Sequence, residues 1–151
     1  MIESAFYAPK TAVLKVLPWV DLIYADLKLA DPQKHRQFTG QDNRLILENL
    51  HEITHGETPV VLRIPLIPGV NDIEEEMHAI GSIIRSLGPA VRGVELLKYN
   101  YLAEGKYELL DLPYHDFGRV AQTGSHLKIL ADILHKETGL GEQVFYEGST
   151  L

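Results

Sequence analysis

The most informative stretch of the chain is Val20-Asp21-Leu22-Ile23-Tyr24-Ala25-Asp26-Leu27-Lys28, in which apolar and β-branched residues fall on both faces. This pattern is typical of a strand buried within a parallel sheet. Side chains two residues apart share a face, so Asp26 and Lys28 point the same way and Leu27 points opposite. Because sites in parallel sheets form at the carboxyl ends of strands, Asp26 and Lys28 are the first functional candidates. A local ion pair at an exposed strand end is the alternative interpretation.

Helix and strand patterns alternate along the rest of the chain. The predicted elements are a helix over 44–55, a strand over 59–63, a helix over 73–87, a strand over 91–99, a loop over 100–117, a helix over 125–137 and a strand over 144–146. Asp72 with Glu75 predicts a capping box before the helix over 73–87. The spacing predicts right-handed crossovers and a parallel α/β sheet. A closed eight-fold barrel needs roughly 200 residues or more, so a small doubly wound sheet or part of a larger barrel is expected.

Composition restricts the classes of function. The 151 residues are 45% hydrophobic and 23% charged, which predicts one globular domain over 1–151. The net charge of −7 argues against nucleic acid and anionic membrane as partners. The chain contains no cysteine, so it supplies no disulfide, no nucleophilic thiol and no thiolate ligand for zinc or an iron–sulfur cluster. An acidic start without a long apolar run predicts a cytoplasmic protein.

Arg63 stands inside the apolar strand over 59–63. A guanidinium in that position needs a carboxylate or a ligand, and Glu95 on the next predicted strand is the expected partner. The loop that follows, residues 64–72, contains two prolines and Gly69 and leads into the amino terminus of a helix. Such a loop either holds an anion or carbonyl or simply turns the chain.

Two polar groups have weaker functional interpretations. Residues 31–40 are basic within an acidic chain, and composition favours a solvated one-turn helix over a contact with a partner or substrate. His51 and His55 lie four residues apart on the helix over 44–55. They show no third ligand at suitable spacing, so a surface pair is favoured over a metal site.

Several segments in the right order together resemble one known family, the glycyl-radical-enzyme activating enzymes of the pyruvate formate-lyase activating enzyme type, within the radical S-adenosylmethionine superfamily. The resemblance runs from about residue 2 to 110. It is carried by Asp26-Leu27-Lys28, Asp31-Pro32, Lys34-His35, Thr39-Gly40, Asn43, Ile46-Leu47-Glu48-Asn49-Leu50, Arg63-Ile64-Pro65-Leu66-Ile67-Pro68-Gly69-Val70-Asn71-Asp72 and Val94-Glu95-Leu96-Leu97.

The resemblance implies a fold and a chemistry. The fold is a partial (β/α) barrel, the C-terminal part of a TIM-like (β/α)6 barrel. In the family, a 4Fe-4S cluster reductively cleaves S-adenosylmethionine, and the resulting radical abstracts hydrogen from a glycine of a partner such as pyruvate formate-lyase. The resemblance places Asp26, Leu27 and Lys28 at the S-adenosylmethionine site, with the lysine on the methionine carboxylate. We also assign Arg63 to the cofactor-binding set.

Two further positions are implied by the same resemblance. Glu3-Ser4 resembles the acidic and hydroxyl residues that form a small-cation site with the aspartate, here Asp26. Asn100 falls where the family has a cofactor-lining histidine. The chain lacks the family's C-x-x-x-C-x-x-C motif, so it provides no iron–sulfur ligands and no catalytic residue is assigned to it. We therefore expect the C-terminal part of an activating enzyme, inactive by itself, with an open sheet edge that favours a homodimer.

Two other functions remain open at this point. A non-catalytic module that retains only the partner-binding surface, including Lys34 and His35, is the first. The second rests on Asp26-x-Lys28-x-x-Asp31, which resembles the signature of the orotidine monophosphate decarboxylase superfamily, also a barrel fold. Neither the stretch from Arg63 to Asp72 nor the segment from Thr39 to Asn43 fits that superfamily.

Overall fold

Five parallel strands form one sheet, in which they lie side by side in the order of the chain. The computed structural model describes residues 1–102, 104–113 and 115–147. The strands are β1 (Ile2–Ser4), β2 (Ile23–Asp26), β3 (Val60–Pro65), β4 (Val91–Leu97) and β5 (Val144–Tyr146). The predicted α/β class and parallel sheet are therefore confirmed, whereas β1 had not been predicted.

In the described part of the chain, six α-helices connect or flank the strands. They are α1 (Lys10–Val16), α2 (Pro32–Thr39), α3 (Arg44–Thr54), α4 (Glu74–Arg85), α5 (Glu104–Leu109) and α6 (Gly124–Thr138). The predicted helices over 44–55, 73–87 and 125–137 are confirmed as α3, α4 and α6. Helix α5 lies within the segment predicted as a loop, and α1 was not predicted.

Helix α2 is the segment for which a solvated single turn was favoured. It is a regular helix of eight residues, which Asp31 caps by accepting hydrogen bonds from the amides of Gln33 and Lys34. His35 is buried against its own loop, with Nδ1 2.6 Å from the carbonyl oxygen of Gln41. The predicted helix is confirmed, but its predicted length of a single turn and its full solvation are wrong.

The core lies on one face of the sheet. Alternate strand residues, among them Ile23, Ala25, Leu62 and Ile64, are fully buried beneath the helices. The residues between them, such as Tyr24, are only partly buried. The prediction that β2 is buried on both faces is therefore wrong, because the helical core covers a single face.

The capping box predicted before α4 is also wrong. The residue that caps α4 is Ile73, and it forms no side-chain capping hydrogen bond. Asp72 instead accepts hydrogen bonds from the amide of Gly69 at 2.7 Å and from Nε2 of Gln122 at 2.9 Å. Its side chain joins the loop after β3 to the segment before α6.

Every helix in the described part of the chain is too short or too polar to cross a bilayer.

Candidate functional site

Asp26 and Lys28 meet at the carboxyl end of β2. Lys28 Nζ donates to Asp26 Oδ2 at 2.7 Å, and the lysine side chain is 36% exposed against 21% for the aspartate. Leu27 is buried, and its amide donates to the carbonyl oxygen of Arg63 at 2.8 Å. The predicted shared direction of Asp26 and Lys28 is confirmed. The lysine ammonium keeps a solvent-facing side on which it can receive an anionic group.

The backbone that follows Lys28 is held by side chains from elsewhere. Asn71, 1% exposed, donates from Nδ2 to the carbonyl oxygens of Lys28 and Pro65 at 2.8 Å each. Its Oδ1 accepts from the amide of Ile67 at 2.6 Å. The amide of this one residue therefore joins the loops after β2 and β3. Sequence reasoning placed Asn71 only at a helix amino terminus and missed this role.

Two more buried polar side chains hold the same loop. Asn43 Nδ2 donates to the carbonyl oxygens of Leu29 and Ala30 at 2.9 Å each. Glu76, on α4, accepts from the amide of Ala30 at 2.5 Å, and its other oxygen lies 3.6 Å from Lys34 Nζ. Both side chains are at least 95% buried. Glu76 lies three residues after Ile73 and four before Ile80, which places it on the apolar face of α4. This spacing was a signal that sequence reasoning missed.

Arg63 lies on the open face of the sheet between two carboxylates. Its guanidinium forms an ion pair with Glu3 on β1, and its Nε is 3.3 Å from Oε2 of Glu95 on β4. The predicted Arg63–Glu95 pair is confirmed, and Glu3 is a second partner that the sequence did not indicate. The guanidinium also lies 5.7 Å from the ring centre of Tyr24. Nε is buried and faces Glu95 without the geometry of a hydrogen bond, so the contact between them is an ion pair.

The three residues of the expected small-cation site occupy neighbouring strand ends with other partners. Glu3 pairs with Arg63, Asp26 pairs with Lys28, and the Ser4 hydroxyl accepts from the amide of Phe6 at 2.9 Å. Across residues 1–102, 104–113 and 115–147, no three His, Cys, Asp or Glu side chains are grouped to hold a metal ion. The cation site stays a prediction.

The remaining candidates from the sequence are Asn100 and the pair of histidines, His51 and His55. Asn100 follows β4, is exposed, and accepts a hydrogen bond from the amide of Leu102 at 3.2 Å. The segment around it is anchored by Gln122, whose Oε1 accepts from the amide of Tyr99 at 2.9 Å. His51 and His55 stack on α3 with ring centres 4.2 Å apart, and both are exposed.

A cleft with a volume of about 420 Å³ adjoins Lys28. Lys28 and Val70 line it from the loops after β2 and β3, Phe38 from α2, and Tyr107 and Phe117 from the segment after β4. The rings of Phe38 and Phe117 lie 6.1 Å apart. An apolar cleft with one ammonium group at its edge suits a ligand that carries both an apolar part and an anionic group.

Comparison with known proteins gives consistent relatives, although no family model matches the chain. The chain is 40% identical over 114 residues to the (2S)-3-sulfopropanediol dehydratase activating enzyme of Klebsiella oxytoca. The aligned region covers 75% of this chain and 36% of that enzyme. The chain spans about a third to a half of the length of the curated relatives it matches.

Two solved structures resemble the fold. One is a domain of a pyruvate-formate lyase-activating enzyme from Bacteroides vulgatus, with a TM-score of 0.74 and 27% identity over 96% of this chain and 79% of that one. The other is a radical SAM methyltransferase from Sphaerobacter thermophilus, with a TM-score of 0.58 and 21% identity over 82% of this chain and 33% of that one. The second likeness concerns the fold alone. The expected partial barrel is confirmed by these neighbours and by the open parallel sheet.

Proposed function

Because the chain is related in sequence and in fold to part of the glycyl-radical-enzyme activating enzymes, we propose that it forms the part of such an enzyme that receives the carboxylate of S-adenosylmethionine. The observation that carries this proposal is the partly exposed ammonium of Lys28, fixed at the carboxyl end of β2 beside an apolar cleft. Ligands of parallel sheets bind at this end.

The residues present fit the amino-acid end of S-adenosylmethionine. Lys28 offers its ammonium to a carboxylate, and Asp26 keeps that ammonium at the strand end while no ligand is bound. Arg63 belongs to the proposed set through the positive charge of its guanidinium, which lies on the open face of the sheet between Glu3 and Glu95. S-adenosylmethionine is itself the precursor of the radical in the family chemistry. In the proposal these side chains bind and orient its polar end.

The residues present do not fit an iron–sulfur cluster. Such clusters are held by cysteine thiolates, and none of the 151 residues is a cysteine. We therefore derive no electron-transfer or radical step from this chain. The proposed activity requires thiolates from polypeptide outside these 151 residues.

Titration with S-adenosylmethionine tests the role of Lys28. In Lys28→Ala, removal of a charged hydrogen bond of about 1.5–3 kcal/mol weakens binding by about ten- to a hundredfold. Lys128→Ala is the matched control, because Lys128 is an exposed lysine on α6 that pairs only locally with Asp132. Calorimetry on the whole chain gives both dissociation constants. Equal affinities for wild type and Lys28→Ala contradict the assignment.

The proposed partner is a glycyl radical enzyme, acting with this chain in the cytoplasm. Apolar side chains after β4 support a protein partner, because Leu102, Leu109, Leu110 and Val120 are all more than 60% exposed. Apolar side chains exposed to this degree are candidates for burial against a protein partner. Pyruvate formate-lyase is one candidate, whereas the relative from Klebsiella oxytoca is named for (2S)-3-sulfopropanediol dehydratase.

The same exposed apolar segment supports a second candidate, a non-catalytic module that binds the partner enzyme. The two candidates differ in the cofactor, since the module has no need of S-adenosylmethionine. Capture of a glycyl radical enzyme together with an absence of S-adenosylmethionine binding favours the module. The match to activating enzymes favours both candidates over a decarboxylase of phosphate-bearing substrates.

A further inference from the structure

We infer that Asn71 and Glu76 are positioning residues for Lys28, acting through the backbone of residues 28–30. The ligand of Lys28 rests on the proposed function, whereas the positioning itself rests only on contacts within the chain. Asn71 lines the cleft beside Lys28, but its amide group is already engaged in three hydrogen bonds to the backbone. Glu76 is buried beneath the loop. Their effect is transmitted through the main chain to which the lysine is attached.

Side chains satisfy four backbone groups of residues 28–30. The carbonyl oxygens of Lys28, Leu29 and Ala30 accept hydrogen bonds from Asn71 or Asn43, and the amide of Ala30 donates to Glu76. Strand β2 ends at Asp26 and its last bond to β3 is that of the Leu27 amide, so strand pairing does not hold residues 28–30. Without these side chains its polar groups would be buried and unsatisfied, at about 1–3 kcal/mol each.

Burial makes the arrangement costly and therefore informative. Glu76 is 3% exposed, and its neighbours on α4 include the fully buried Met77 and Ile80. Burying a carboxylate is unfavourable unless it is paired and hydrogen-bonded. The cost of burying the Glu76 carboxylate is offset by its short hydrogen bond from the amide of Ala30 and by the nearby Lys34 ammonium. An uncharged apolar residue at this position would pack at lower cost but would release the loop.

The consequence concerns how far the lysine ammonium can move. The main chain of Lys28 is fixed on both sides, by buried Leu27 before it and buried Leu29 after it. Asn71 also ties the Lys28 carbonyl to the loop after β3, which lines the same cleft. Only side-chain torsions are then left to move Nζ between Asp26 and a ligand. Such pre-organisation reduces the entropy lost on binding.

The absence of cysteine allows a direct test. A single Lys28→Cys substitution accepts one nitroxide label, and its mobility is read by electron paramagnetic resonance in the full chain. Adding Asn71→Ala or Glu76→Ala shortens the rotational correlation time of the label by about twofold or more, because the backbone is released. Glu76→Gln, which keeps an acceptor for Ala30, restores the slower motion.

A buried hydrogen bond at the opposite end of the sheet provides the control. Thr54 is fully buried, donates to the carbonyl oxygen of Leu50 and accepts from the amide of Gly88. Thr54→Val therefore lowers stability by removing a buried hydrogen bond, but the label at position 28 moves as slowly as in the chain that carries only Lys28→Cys. If Asn71→Ala does not fold, the contrast between Glu76→Ala and Glu76→Gln decides. A label equally immobile in Glu76→Ala and Glu76→Gln overturns the inference.

A second measurement separates this inference from the proposed function. In chains that retain Lys28, Asn71→Ala is expected to weaken S-adenosylmethionine binding by about tenfold, while Thr54→Val leaves it unchanged. A label released as expected in a chain that does not bind S-adenosylmethionine supports the positioning and contradicts the proposed function. Tight binding by wild type that Asn71→Ala leaves unchanged contradicts the positioning.

Discussion

Arg63 is the residue on which the open face of the sheet depends. Its side chain is 19% exposed, and its guanidinium links β1 to β4 through Glu3 and Glu95, across its own strand β3. The energy of such a pair depends on context, because desolvation opposes the Coulomb attraction. Removal of the cation alone is unfavourable, since two carboxylates then face each other without a counter-charge.

Arg63→Met is expected to lower the free energy of unfolding by about 2–4 kcal/mol for this reason. Adding Glu95→Gln recovers part of the loss, because it removes one of the unpaired charges. Urea unfolding of the single and double variants measures the coupling. Arg92→Met, an exposed arginine on β4, is the control and changes stability by less than about 0.5 kcal/mol. Additive effects of Arg63→Met and Glu95→Gln are the result that contradicts the pair.

Asp42 is expected to make stability depend on pH in the acid range. The side-chain hydrogen bond from Arg44, with further help from its backbone amide and from Arg36, lowers the pKa of Asp42 from 3.8 to about 2. A depressed pKa stabilises the fold fully above the unfolded value, and this contribution is lost as pH falls from about 3.8 towards 2. A carboxyl NMR titration should show the low midpoint. Arg44→Ala should move it upward, and an unmoved midpoint excludes Arg44 as the cause.

At the scale of elements, α4 and α6 approach each other closely at Gly81. A methyl group there would lie 2.5 Å from Cβ of Glu137. Glu137 in turn accepts hydrogen bonds from His78 and Arg85 of α4. The missing side chain of Gly81 therefore allows the helix contact on which the outer layer depends.

Gly81→Ala is expected to destabilise the chain. Overpacking costs about 1–3 kcal/mol, whereas alanine regains about 1 kcal/mol of helix propensity. Gly124→Ala is the matched control, because a methyl group at Gly124 meets no atom within 4 Å. Thermal melting should therefore move down for Gly81→Ala and not for Gly124→Ala. Equal melting temperatures would mean that α6 shifts without cost.

Buried asparagines recur where loops leave the strands. Asn49 donates to the carbonyl oxygens of Phe6 and Ala8 after β1, as Asn43 and Asn71 do after β2 and β3. Each amide satisfies two carbonyls that have left the sheet ladder. Short polar side chains of this kind read as loop or capping residues in a sequence, so their long-range partners are not predictable from it.

At the scale of the whole molecule, the sheet is open at β1 and at β5. The amide of Ile2 donates to the carbonyl of Leu22, so the next amide, that of Glu3, points away from β2. An unpaired edge is a template for another strand. The homodimer expected from the sequence remains a prediction.

Glu3→Pro tests that dimer, because it removes the outward amide while β1 keeps its bond to β2. Sedimentation equilibrium should show concentration-dependent association of the wild-type chain and less of it in Glu3→Pro. Glu3→Gln is the control, since it removes the charge that pairs with Arg63 but keeps the amide. A wild-type chain that stays monomeric at all concentrations contradicts the edge-mediated dimer.

Local patterns were enough to predict much of the fold. Apolar spacing identified α3, α4 and α6, and alternating strands and helices predicted the parallel sheet, because these signals repeat within one element. Short elements such as β1 and α1 escaped, since three to seven residues carry too little periodicity. Motif order predicted the relationship to activating enzymes. Asp26 and Lys28 were predicted to share a face because strand alternation is a local property.

Only the tertiary structure decided which distant groups meet. Glu3 pairs with Arg63 because β1 lies two strands away in the sheet, and Glu76 reaches Ala30 because α4 packs over the loop after β2. The tertiary structure also decided that one face of β2 stays open, whereas the apolar pattern of the strand predicted two buried faces. Apolar and charged residues report a tendency towards burial or solvent, whereas the partner that satisfies them depends on the packing of elements far apart in the chain.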